Sequence, residues 1–185
     1  MAALIGTARR LFAERGYANV SGEEIVSSAG VTRGALYHHF ADKRDLFRAV
    51  LEEVESEVTD HLRVSVATAA DRWAGMLAAL DGFLDLCQTP DVARIVLTDA
   101  PAVVGWQTWR DIEARHGLGL ITDILEDAAR ERTLAPVAVP MLAQLILSAL
   151  IEAALRIAHA DDPRKARNEA RQALLALLSG VIVQP

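Results

Sequence analysis

Residues 21–43 read SGEEIVSSAGVTRGALYHHFADK. Ser21 can accept from the amide of Glu24, and Glu24 can reach back to the amide of Ser21, the capping-box arrangement of a helix start. Ile25 and Ala29 then lie four apart on one side of a short helix. Gly30 follows where a left-handed C-terminal residue is needed, Val31 turns inward, and Thr32 caps a second short helix. In that second helix Leu36 points in and Phe40 packs just past the end, leaving Arg33, Gly34, Tyr37 and His38 outward. Two short helices about a tight glycine turn, the second carrying polar and aromatic side chains, form a helix-turn-helix. In that motif the second helix enters the DNA major groove.

The same positions carry a family resemblance. Leu11 and Phe12, Gly16 and Tyr17, the run Ala29 to Gly34, Leu36 to Phe40 and Lys43 together resemble the TetR/AcrR family of bacterial transcriptional regulators. The match covers roughly the first quarter of the chain, and the remainder agrees only in length, helicity and layout. The resemblance implies an all-α protein of about nine helices. A three-helix DNA-binding head would occupy residues 1–46, and a ligand-binding and dimerisation domain residues 47–185.

Composition is consistent with that architecture. The chain has 185 residues, enough for a sizeable core. Half of it is hydrophobic but only 5% is aromatic, and the abundance of alanine and leucine favours helices. No stretch alternates β-branched residues between hairpin turns, so strands are not expected. Cys87 is the sole cysteine, which precludes an intrachain disulfide and suits a reducing cytoplasm. The start, MAALIGTARR, shows no secretion-signal pattern. The apolar run Met141 to Ile157 is interrupted by Gln144, Glu152 and Arg156, so no membrane span is expected. The net charge of −6 is unevenly spread. Residues 1–48 hold seven bases against five acids, a small positive balance, and the acidic excess lies in the remainder. A mildly basic head on an acidic body suits a DNA-reading module on a regulatory domain.

Outside the motif, Leu4, Ala8, Leu11 and Phe12 make the buried stripe of a first helix over residues 3–15. Asp42 caps a fourth helix reaching about Val66, whose stripe of Phe47, Val50, Leu51, Val54, Val58 and Leu62 joins head to body. A fifth helix spans about Ala70 to Cys87, with Gly75 and Gly82 placed to let a neighbour approach. A short sixth covers about Val92 to Leu97. A seventh runs to about Arg132, with Gly117 and Gly119 expected to bend it. An eighth, about Val139 to His159, is apolar nearly all round. The last begins at Asp162-Pro163 and carries its apolar stripe to Val181 and Ile182.

The candidate DNA-binding residues are Thr32, Arg33, Gly34, Ala35, Tyr37, His38, His39 and Lys43. Arg33 reads a guanine edge or contacts phosphate. Gly34 and Ala35 keep the helix surface flat, and Ala35 can touch a thymine methyl. Thr32 can cap and reach phosphate together. His38 faces the groove and His39 the backbone; about 100° of helical rotation separates them, a poor metal pair. The resemblance implies phosphate contacts from Tyr37 and Lys43. Glu23 departs from the family pattern, because an acid facing phosphate costs affinity.

Trp73, Trp106 and Trp109, with Met76, Leu80 and Phe83, are candidates to line an apolar pocket, or else form ordinary core. Asp99, Arg110 and His116 are candidates to orient a ligand there. Leu147, Ile151, Leu174 and Leu178 are the expected homodimer contacts of the last two helices. No metal or cofactor is expected, and the absence of HExxH, GxSxG and glycine-rich phosphate-loop motifs argues against an enzyme. The leading reading is a homodimeric repressor released from a palindromic double-stranded DNA operator by a small apolar effector. The alternative is an all-helical small-molecule-binding protein or dimerisation adaptor without sequence-specific DNA binding.

Overall fold

The computed structural model describes residues 1–182; positions 183–185 of the expected body domain lie outside the described residues. Nine α-helices, a 3-10 turn at Tyr17–Asn19 and one π-helical segment account for the architecture among them. Helix α1 (Ala2–Arg15) buries Leu4, Ile5, Ala8, Leu11 and Phe12 along one stripe. Helix α2 (Gly22–Ser28) starts at Ser21, whose Oγ accepts from the Glu24 amide at 3.1 Å. Only half of the expected capping box forms, because the Glu24 carboxylate pairs with Arg15 instead. Gly30, with φ +65°, ends α2. The Val31 amide donates to the Val26 carbonyl and the Gly30 amide to Ser27, a doubly bonded left-handed cap that glycine adopts without strain. Thr32 Oγ1 then accepts from the Ala35 amide to open α3 (Arg33–His39).

Helix α4 (Lys43–Ala67) is capped by Asp42 and extends ~37 Å at 1.5 Å per residue. Its first three turns bury Leu46, Phe47, Val50 and Leu51 among α1, α2 and α3. The rings of Phe12, Tyr17 and Phe47 meet there edge to face or tilted, with centroids 5.1–5.6 Å apart. Helix α5 (Arg72–Leu86) returns antiparallel along the far half of α4. Cβ atoms on Gly75 and Gly82 would stand 3.2 Å from the Val66 carbonyl and 3.3 Å from Leu62, so these glycines do permit the close approach expected of them.

The short sixth helix of the sequence reading is instead a π-helical segment, Asp91–Asp99, continuing into α6 (Ala100–Val103). The Thr98 hydroxyl donates to the carbonyl five residues back, Ala93, at 2.7 Å, which fits the wider coil. Pro101 sits in the first turn of α6, at the junction with the π-helical segment. Helix α7 (Trp106–Arg130) is continuous through both glycines. Gly117 serves contact: a Cβ there would lie 3.2 Å from Leu147 of α8 (Val139–Ala158). Helix α9 (Pro163–Ser179) is opened by Asp162 and docks on α5 through Arg171 and Arg167, which grip Asp81. The Arg171 guanidinium, followed by that of Arg167, holds the Asp81 carboxyl below its usual range despite partial burial. Val181 and Ile182 lie beyond α9, where Ile182 bridges Leu134.

Head and body share one continuous apolar core. They are also tied by polar contacts. Asp99 accepts the Tyr17 amide at 2.7 Å, Asp91 accepts Arg9 at 2.6 Å, and Arg44 donates to the Val104 carbonyl at 3.0 Å. The helix joining head to body is therefore seconded by the π-helical segment.

Candidate nucleic-acid interface and body cavity

Helix α3 is held from behind by Leu36 alone, with Phe40 just beyond its end. The rest of its surface is free. Thr32, Arg33, Gly34, Tyr37, His38 and His39 are exposed and Ala35 half-buried, so these seven form one surface. Tyr37 is 50% exposed, too open for a packing tyrosine. The Arg33 guanidinium lies 5.5 Å over the Tyr37 ring and 3.5 Å from the Glu23 carboxylate of α2. Both charges of that ion pair are well exposed, so separating them costs about 0–1 kcal/mol. Glu23 thus holds Arg33 only weakly.

Lys43 is placed differently. Its ammonium donates to the Tyr17 and Val20 carbonyls at 2.9 and 2.8 Å and lies 3.9 Å over the Tyr17 ring. Burial lowers its pKa. It closes the end of the turn before α2 with two of its three donors.

The body contains a cavity of ≈110 Å³ walled by α4, α5, α7 and α8, with Leu178 of α9. Met76, Leu80 and Phe83 line it. The tryptophan expectation needs correction. Trp106 and Trp109 lie two turns and one turn before Glu113 on α7, short of the cavity; Trp106 is 57% exposed and Trp109 is solid core. Trp73 lines an adjoining surface groove that shares Met76, Ile124 and Leu125 with the cavity. Asp99 belongs to the head clamp, Arg110 donates to Ser148 Oγ at 3.2 Å, and His116 bonds Glu52 at 2.9 Å, so none of the three lines the cavity.

Three polar residues unnoticed in the sequence do line it: Glu55, Thr59 and Glu113, all buried. Burial, then the neighbouring Glu113 charge, push Glu55 well above the usual carboxyl range. Burial also raises Glu113, although the hydrogen bond from Glu55 and the nearby Arg110 and Trp109 draw it back. Two carboxyls this close cannot both ionise, so the pair shares a proton. One turn earlier on α4, Glu52 is the reverse case. Its hydrogen bonds from His116 and Arg115 outweigh partial burial and hold it below its usual range. A signal for Glu55 was legible: it falls on the apolar stripe between Leu51 and Val58.

The dimer expectation is corrected as well. Leu147, Ile151, Leu174 and Leu178 are all buried within the protomer, and Leu147, Ile151 and Leu178 face the cavity. The outer surface of α8 and α9 is made instead by Met141, Leu145 and Leu177, flanked by exposed Ala173 and Ala176. The apolar count was right, but each helix spends its largest side chains on its own core.

Known proteins resemble this chain over its whole length. Residues 4–50 match the family model described as bacterial regulatory proteins, tetR family, and residues 73–181 match a tetracyclin repressor-like C-terminal domain. A crystal structure of a TetR-family transcriptional regulator from Pectobacterium atrosepticum superposes with a TM-score of 0.91 at 38% identity, covering 100% of this chain and 94% of that one. The transposon Tn10 TetC protein of Escherichia coli is 28% identical over 71% of this chain and 66% of its own. An HTH-type transcriptional repressor of Mycobacterium tuberculosis is 34% identical over 56% of this chain and 54% of its own. The chain thus spans only about half to two thirds of the length of these two curated relatives. With both family models matched in order and a near-complete superposition on a regulator of that fold, the chain belongs to the TetR family of bacterial transcriptional regulators.

Proposed function

We propose that the protein is a cytoplasmic, homodimeric transcriptional repressor that binds a palindromic double-stranded operator through α3 and is released by a small molecule in the body cavity. Arg33 reads a base edge, Tyr37 and Lys43 contact phosphate with Thr32, and His38 and His39 flank them. Gly34 and Ala35 let the backbone approach the groove. Dimerisation uses the outer face of α8 and α9 around Leu145 and Leu177, giving a four-helix interface.

The observation that carries this reading is the double duty of α4. Leu46, Phe47, Val50 and Leu51 are core of the head, and Glu55, Val58, Thr59 and Leu62 are wall of the cavity. A ligand that moves the far half of α4 moves the recognition helix with it. Two recognition helices must stand about 34–36 Å apart, or a multiple, to enter successive major grooves. A ligand that favours another spacing lowers DNA affinity, and DNA lowers ligand affinity by the same factor.

The test is selection from random-sequence duplex DNA followed by mobility shift. Enrichment of a palindrome bound by two protomers is expected. Binding without enrichment at low salt would leave only nonspecific attraction to phosphate and would overturn the repressor reading.

A further inference from the structure

The cavity is apolar except at one place. Glu55 from α4 and Glu113 from α7 meet there, each only 7% exposed, with Thr59 one turn along α4. The two carboxyls lie close enough to couple, yet Glu113 Oε1 is buried with no hydrogen-bond partner. The indole Nε1 of Trp109 is likewise buried without one. A buried acceptor left unmade costs about 1–3 kcal/mol, and more when charged.

The one donor left beside this acceptor, the Trp109 indole one turn back on α7, lowers Glu113 but does not complete a well-formed hydrogen bond, and the other nearby donors are engaged. Glu52 of α4 is taken up by Arg115 and His116. Arg110 of α7 is near enough to lower Glu113 but gives its hydrogen bond to Ser148 of α8. Cys87, just past α5, is a buried thiol pushed up by burial and then by the two carboxyls. The pair thus presents a shared proton and an unpartnered carboxyl oxygen to an otherwise hydrocarbon wall.

Charge decides which ligands suit such a wall. A neutral hydrocarbon leaves the acceptor unmade. An anion adds repulsion to a charge already buried. A cation supplies both the donor and the opposite charge, which is what makes a buried ion tolerable. Size sets the body of the ligand: an apolar cavity of about 150 Å³ accommodates benzene, and this one, ≈110 Å³, adjoins a groove that shares Met76, Ile124 and Leu125 with it.

Building on the reading of the cavity as the effector site, we propose that its ligand is a small cationic amine with a compact apolar ring, whose ammonium donates to Glu113 Oε1 and to the Glu55 carboxyl.

Calorimetric titration of the full chain with four probes of one shape tests this: benzylamine, benzyl alcohol, toluene and benzoate at neutral pH. Benzylamine is expected to bind at least about tenfold more tightly than benzyl alcohol or toluene, with benzoate weakest. Glu113→Gln should weaken benzylamine about tenfold or more while leaving benzyl alcohol within about threefold. Glu55→Gln, measured in parallel, should also weaken the amine selectively and keeps the test open if the first variant does not fold. Toluene or benzyl alcohol binding as tightly as benzylamine would overturn the cation assignment and leave the cavity as a ligand site. Failure of all four to bind would overturn the effector-site reading itself.

Discussion

The head and the body answer the same problem, burying a helix, in opposite ways. In the head the ends are closed. Ser21, Thr32 and Asp42 cap their helices, Gly30 completes a doubly bonded turn, and Lys43 takes the carbonyls of Tyr17 and Val20. Phe12, Tyr17 and Phe47 fill the space between the helices. In the body, packing stops short around a cavity whose wall holds two carboxyls, and Glu113 Oε1 lacks a well-formed hydrogen bond. A rigid reader keeps base contacts in register, whereas an incompletely satisfied interior can respond to something that completes it. Helix α4 belongs to both regions.

The contrast can be broken at several places. The largest expected effect is Phe47→Ala, which removes a fully buried ring from the head's aromatic cluster and should cost about 3–5 kcal/mol in denaturant unfolding. A cost near 1 kcal/mol would mean that the head is not tightly packed. Leu145→Glu comes next. A charge at a centrally buried interface position should weaken dimerisation by about 2 kcal/mol or more, visible by sedimentation, whereas an unchanged dimer would place the interface elsewhere. Arg33→Ala should cost about 1–3 kcal/mol of operator affinity and relax preference at one base pair. Uniform weakening without loss of preference would reduce Arg33 to a phosphate contact.

Glu55→Gln sharpens the body's side of the comparison. Glu55 is raised on folding, so the native state holds its proton where the unfolded chain has released it. Its contribution is complete below the ordinary glutamate value of about 4.3 and is lost as pH climbs through the native value. Stability should therefore fall with rising pH above that point. Glu55→Gln should flatten the fall and raise Tm by about 2–4 °C at neutral pH, a change of about 1 kcal/mol at this chain length. A steeper profile in the variant would contradict the shared-proton pair. The smallest effect is expected for Glu23→Gln, which frees Arg33 and should strengthen operator binding by about 0–1 kcal/mol. Weaker binding would show that Glu23 positions Arg33 instead of competing for it.

Much of the head was readable because its signals are local. A cap, a glycine and a four-residue stripe fix α2, the turn and α3, and outward placement of Tyr37 follows from inward placement of Leu36. The body depends on contacts between distant residues. Nothing near Trp106 shows that it stops two turns short of Glu113, or that Asp81 on α5 awaits Arg171 on α9. Leu147 and Leu178 read as interface because α8 has no polar face, yet a cavity inside the protomer uses the same side chains.

The central claim is that α4 couples the cavity to the recognition helices, and reciprocal titration tests it most directly. Operator affinity is measured with and without saturating benzylamine, and benzylamine affinity with and without operator. The account expects benzylamine to weaken operator binding and operator to weaken benzylamine binding by the same factor, about 5- to 150-fold for a coupling of about 1–3 kcal/mol. Operator affinity unchanged at concentrations that fill the cavity would contradict it.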